Sequence, residues 1–317
     1  MPGQARSAAP CGRGWRPKRW RPQRWRPQSS DRFYRFIVRT GRALCWLFGI
    51  RVFVTGQEHL PQPGPPGASS QDAFPLKVSA LDVSRRVPSR PVVPGQGAVI
   101  AITHFGYLDF AFAEMLLWWN NRAQLRFLIT QGAADHWFAG PAVSAAGHVV
   151  VGYGSGTHAY DAAVARLLKG EYIGILPEAG VSRSFTVREC KTGAVRMAAE
   201  AGVPIIPVSV WGSHRLMTRH HAFSPRRAWR APVRIHVGEP LLPGSLPDPA
   251  DDAQPATARL ARTLQDGIDV GIADFPLKPA PGAWWMPAGR GGGAPTEEER
   301  RRLDEADGPR RAGARRR

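Results

Sequence analysis

The chain has 317 residues, 43% of them hydrophobic, which is enough for one sizeable core or at most two domains. Its formal charge of +18 and pI near 11.1 favour anionic partners, either nucleic acid or a membrane surface. Three widely spaced cysteines (Cys11, Cys45 and Cys190) offer neither a disulfide framework nor a zinc site and fit a reducing cytoplasmic compartment. No run of about 18 apolar residues predicts a transmembrane span, and the N-terminus lacks the apolar core of a signal peptide. The charge is unevenly spread. Residues 1–42 hold 12 Lys/Arg against one Asp, whereas residues 98–240 hold 14 against nine Asp/Glu. Most of the excess therefore belongs to the N-terminal arm.

Residues 1–30 repeat a short Arg-Trp-Arg-Pro unit, WRPKRWRPQRWRPQ, which predicts a disordered or polyproline-like basic arm. Residues 31–56 follow as a helix and a first strand. In the helix, Phe33, Phe36, Ile37, Leu44, Leu47 and Phe48 recur at three- and four-residue steps, with Arg35, Arg39 and Arg42 on another face. A basic, aromatic amphipathic helix of this kind suits an anionic membrane surface, although an ordinary core-covering helix has the same spacing. RVFVTG (51–56) is a strand, and residues 61–97 are a Pro/Gly/Ser-rich insertion.

From Ala98 to about residue 275 the pattern becomes regular. Strands are expected at AVIAIT (98–103), LRFLIT (125–130), HVVVG (148–152), YIGILP (172–177), PIIPVSVWG (204–212) and VRIHVG (233–238). Helices are expected at 109–120, up to about residue 146, at 157–170, 191–202 and roughly 255–270. Apolar strands alternating with helices predict an α/β fold, a mostly parallel central sheet flanked by helices. Residues 276–317 are Gly/Pro-rich and then charge-rich, and read as a tail disordered in part.

Two clusters stand where strands end, the place at which open α/β sheets put ligands. In THFGYLDF (103–110), His104 closes a strand and Asp109 opens a helix. Gly106 permits a tight reversal, so the aspartate could fold back onto one imidazole nitrogen and leave the other as a general base. An Asp at a helix start is also explained by the helix dipole alone. In ILPEAGVSRSF (175–185), Glu178, Gly180, Ser182 and Arg183 follow a strand, and Lys191 stands just before the next helix. An arginine fork, hydroxyls and turn N–H groups suit a phosphate, while a plain polar loop would carry the same residues.

Taken in order, these segments resemble the 1-acylglycerol-3-phosphate acyltransferase (glycerolipid acyltransferase) family. THFGYLD matches its H-x4-D motif, LPEAGVSRSF resembles its F-P-E-G-T-R-S block, and VPIIPV (203–208) resembles V-P-I-x-P-V. A G-x-E-x-L-P element at 56–61 and a K-x-G turn at 191–193 complete a resemblance covering about 52–240. The P-E block is two residues longer than the family's between Glu178 and Arg183, and Gly152 and Tyr153 stand where the family often has an arginine.

The resemblance implies transfer of a fatty acyl group from acyl-CoA or acyl-ACP to a hydroxyl of lysophosphatidic acid or a related glycerolipid, in phospholipid biosynthesis. It makes His104 the base and Asp109 its orienting partner. Glu178, Gly180, Ser182, Arg183 and Lys191 become acceptor ligands, and neither cofactor nor metal is called for. It implies a peripheral enzyme on the cytoplasmic face of the membrane. An acyltransferase with another acceptor (glycerol-3-phosphate, a different lysophospholipid or a glycolipid) is the nearest alternative. A basic nucleic-acid-binding protein is the alternative from a different class; the concentration of charge in the ends and the absence of a nucleic-acid-binding motif argue against it.

Overall fold

The computed structural model describes residues 31–61, 97–130, 148–151, 156–248 and 251–314. The Arg/Trp/Pro arm, almost all of the 61–97 insertion and the helix expected up to residue 146 lie outside them, as do Gly152 and Tyr153. Seven strands form one sheet: β1 (Arg51–Thr55), β2 (Ala98–Ile102), β3 (Leu125–Thr130), β4 (Val149–Val151), β5 (Tyr172–Ile175), β6 (Ile205–Trp211) and β7 (Pro232–Val237). Their order is β1-β7-β6-β2-β5-β3-β4. All pairings are parallel except β6 with β7. Since β1 pairs parallel with β7, these two strands run against the other five.

The order explains the sequence pattern. β2 and β6 lie in the middle of the sheet, and every residue of both is buried. They read as apolar runs, interrupted only by Ser209 in β6, because helices cover both faces. Ala98, Ile100 and Ile102 turn to one face, where they meet Tyr34 and Val38 of α1 (Asp31–Leu47) and Phe112, Leu116 and Leu117 of α2 (Asp109–Asn121). Val99 and Ala101 turn to the other. There they join Ala163 and Leu167 of α3 (Gly156–Leu167), Val195 and Met197 of α4 (Gly193–Ala201), and Leu260 and Leu264 of α5 (Gln254–Ala273). The helix α1 is thus anchored by one face only. Its Phe36, Leu44, Trp46 and Leu47 are exposed.

The C-terminal segment corrects the expectation of a partly disordered tail. Trp285 and Met286 are buried in a third apolar cluster with Phe105, Phe185, Trp211 and Ile268. A further helix, α6 (Glu297–Ala314), follows it. Composition misleads here because the Gly-rich stretch serves close packing: a Cβ at Gly292 would lie 2.0 Å from the carbonyl oxygen of Met286. Helix α6 starts with a capping box, in which Thr296 and Glu299 satisfy each other's backbone N–H groups. Two of its carboxylates, Asp304 and Asp307, pair with arginines outside the helix, as described below.

Candidate active site

The three neighbouring parallel strands β6, β2 and β5 bring their C-terminal ends to one edge of the sheet, and each contributes to the site. β2 delivers His104, β5 delivers Glu178 and the loop 179–190, and β6 delivers Ser213. The loop is tied to the histidine through the backbone. Ser182 N–H donates to the His104 carbonyl at 2.8 Å, and His104 N–H donates to Glu178 Oε1 at 2.8 Å.

Asp109 is wholly buried. Its Oδ2 accepts from Phe105 N–H at 2.7 Å and Gly106 N–H at 2.8 Å, and its Oδ1 accepts from the Ser213 hydroxyl. The same Oδ2 lies 4.0 Å from His104 Nδ1, beyond a direct hydrogen bond, and that nitrogen is buried with no other hydrogen-bond partner. The aspartate therefore both fixes the turn that carries the histidine and faces its inner nitrogen with a carboxylate. Gly106 is required for a reason other than a reversal. A Cβ there would lie 2.8 Å from His214 N and 2.9 Å from His214 Cα, so the strand-end loops could not approach.

Burial lowers His104 to about 4, opposed by the polar backbone at Gly106 and reinforced by the charges of Arg188 and Arg219. The imidazole is thus neutral at neutral pH, the state a proton acceptor needs. Burial pushes Asp109 up to about 7, opposed by the three donors from Ser213, Gly106 and Phe105. Such donors favour the anion, and a proton arriving on the facing imidazole would favour it further.

Glu178 is also buried, and burial raises it to about 7. Both of its oxygens are used, one by His104 N–H and the other by Arg188 N–H at 3.0 Å. Its observed partners are backbone groups, and it joins the two strand ends. Ser182 is buried too, its hydroxyl donating to the Thr186 carbonyl at 2.8 Å. Gly180 lies against Arg188, whose Nη1 would be 3.0 Å from a Cβ. Lys191 is exposed; its N–H holds the Pro177 carbonyl at 2.8 Å, and its side chain makes no ion pair among the described residues. Ala179, at φ 53°, occupies a left-handed conformation that glycine favours. In the family block that this loop resembles, glycine follows the glutamate.

Arg183 does meet anions, though from an unexpected direction. With Arg188 and Arg219 it forms a cluster around Asp304 and Asp307 of α6. Of these five residues the sequence singled out only Arg183. Arg219 lies eight residues past the end of β6, and no local pattern marks it. Ser213 was missed as well, yet it stands two residues past β6, the strand that carries Pro207 of the V-P-I-x-P-V block. His214, beside it, is a core residue: wholly buried, stacked on Phe185 at 4.4 Å, with Nε2 3.0 Å from the Trp285 carbonyl.

A buried, neutral histidine thus faces a carboxylate beside a cluster of arginines at one sheet edge. The Acyltransferase family profile matches residues 51–211, half of the chain, and the chain belongs to that family. It is an acyltransferase. Among solved structures it is similar to the 1-acyl-sn-glycerophosphate (LPA) acyltransferase PlsC from Thermotoga maritima, with a TM-score of 0.54 and 18% identity over 77% of this chain and 81% of that one. At that identity the likeness is one of fold. No curated protein matches the chain.

Proposed function

We propose that the protein transfers a fatty acyl group from a thioester donor, acyl-CoA or acyl-ACP, to a hydroxyl of a lysophosphatidic acid-like glycerolipid, as a step of phospholipid biosynthesis. The observation that carries this reading is the placement of the arginine cluster beside His104: Ser182, the neighbour of Arg183, binds the His104 carbonyl, and Glu178 joins the N–H groups of His104 and Arg188. An acceptor whose phosphate binds those arginines would hold its glycerol hydroxyl near the imidazole.

The chemistry needs little else. Asp109 faces Nδ1, so Nε2 takes the hydroxyl proton as the oxygen attacks the thioester carbonyl. The new C–O bond forms, the C–S bond breaks, and the proton on His104 passes to the departing thiolate. The thioester is already activated, so no acyl-enzyme is required. General-base help contributes about 10²–10⁴-fold, and positioning supplies much of the rest.

Arg183 presents the fork geometry that suits a phosphate. Arg183→Ala should raise the KM for lysophosphatidic acid about tenfold or more while changing kcat less than threefold, because the contact is made equally in ground and transition states. An unchanged KM in steady-state assays would remove Arg183 from the acceptor site.

The enzyme acts, on this reading, as a peripheral protein at the cytoplasmic face of the membrane. Among the described residues no helix is long and apolar enough to cross one. Support comes from α1, whose free face carries Trp46 at 82% exposure beside Phe36 and Leu47. Arg35, Arg39 and Arg42 line a cavity of about 640 Å³ with Trp118, Trp119 and Arg122. Aromatic and basic side chains on one helix suit an anionic interface. The double variant Trp46→Ser/Leu47→Ser should bind vesicles containing half phosphatidylglycerol at least fivefold more weakly in a sedimentation assay. Equal binding would reject α1 as the contact.

A further inference from the structure

The arginine cluster already holds a ligand, and the chain supplies it. Asp304 and Asp307 are three residues apart on α6, so both carboxylates project from one face of the helix. Arg183 Nη2 pairs with Asp307 Oδ2, and Arg183 Nε stands 3.5 Å from Asp304 Oδ1. Arg188 Nη2 reaches Asp304 Oδ2 at 3.2 Å. Arg219 Nη1 lies 2.9 Å from Asp307 Oδ2 and 3.9 Å from Asp304 Oδ1. The two carboxylates meet three guanidinium groups from outside the helix, Asp304 being held also by Arg300 of its own helix, and together they match the charge of one phosphomonoester, about −1.5 to −2 at neutral pH. Arg219, Asp304 and Asp307 all lie beyond residue 211, where the family match ends.

The attachment of α6 is uneven along its length. Its first turn is fastened by Glu297 to Thr186, while Arg300 pairs within the helix with Glu297 and Asp304. Asp307 is followed directly by Gly308 and Pro309, the two poorest helix formers, so local propensity does little to hold that end in place. The carboxylates of Asp304 and Asp307 remain 20% and 27% exposed, so water reaches their side of the pairs.

We propose that Arg219 completes, with Arg183 and Arg188, a phosphomonoester site, and that Asp304 and Asp307 are its internal occupant, displaced when the phosphate of the acceptor enters. The inference rests on the acyl-transfer reading for the identity of the ligand. The site itself needs no turnover to be tested. α6 is then a built-in competitor that keeps the acceptor site closed to weak anions and sets the acceptor KM.

The experiment is calorimetric titration of inorganic phosphate into the full chain. Asp304→Asn/Asp307→Asn should bind phosphate at least fivefold more tightly than the wild type. Adding Arg219→Gln to that variant should weaken binding about tenfold. Glu298→Gln, which removes an exposed pair with Arg302 on the same helix, should change nothing. Equal or weaker phosphate binding by the double variant would overturn the proposal, as would no binding by either protein. In a second arm, the KM for lysophosphatidic acid should fall by a similar factor with kcat unchanged. Tighter phosphate with an unmoved KM would make this a site for free phosphate and overturn the assignment to the acceptor. A complete lack of acyl transfer would count against the acyl-transfer reading alone, because the titration decides the site independently.

Discussion

His104→Ala should lower kcat for acyl transfer by about 10²–10⁴-fold, the usual share of a general base, while the protein keeps its fold. The two parts of this expectation have separate causes. The contacts that build the site through His104 belong to its backbone: its N–H binds Glu178 and its carbonyl accepts from Ser182. Alanine retains both. What disappears is the imidazole, which burial keeps neutral and ready to accept a proton at neutral pH. Turnover within a few-fold of the wild type, in a variant with an unchanged melting temperature, would eliminate His104 as the base.

Asp109 separates two roles when it is replaced in two ways. Asp109→Ala leaves the buried N–H groups of Phe105 and Gly106 and the Ser213 hydroxyl without an acceptor. At about 1–3 kcal/mol for each group left unpaired, the loss reaches about 3 kcal/mol or more, a large part of an ordinary domain's stability. The melting temperature should fall by roughly 6 °C or more. Asp109→Asn keeps an oxygen for the two N–H groups and places an amide against the hydroxyl. Its stability should stay within about 1 kcal/mol of the wild type. It lacks the charge that would stabilise the imidazolium 4.0 Å away. Its kcat should therefore fall about 10²-fold or more. Full activity in Asp109→Asn would reduce the aspartate to a turn-former and contradict its part in the proton transfer. Thermal unfolding and steady-state assays on the two variants together make the distinction.

What the sequence revealed divides along physical lines. The buried strands were legible because their apolar runs have one cause, burial on both faces. His104 and Asp109 were legible because five residues suffice to bring them together at one strand end. The reason Gly106 is needed was not, because it lies in the backbone of His214, 108 residues away, which comes within van der Waals reach. Ser213 reaches Asp109 across 104 residues, and Arg183 reaches Asp307 across 124. No local spacing encodes contacts of that kind. The tail was misjudged on composition, since Gly, Pro and charge usually mark disorder. The aromatic pair Trp284 and Trp285, amid glycines, was the signal that it packs. Net charge was a poor guide in another sense. The +18 total points only to an anionic partner, nucleic acid or a membrane surface, whereas the arginines beside His104 among the described residues already face carboxylates of their own chain.

The central claim is acyl transfer from a thioester to the hydroxyl of a phosphate-bearing glycerolipid. It is tested most directly by incubating the full chain with palmitoyl-CoA and 1-acylglycerol-3-phosphate and measuring free CoA and diacylated product together by mass spectrometry. The account predicts phosphatidic acid and CoA in equal amounts, with far less product when 1-monoacylglycerol replaces the phosphate-bearing acceptor. Release of CoA without diacylated product, or equal use of both acceptors, would contradict it.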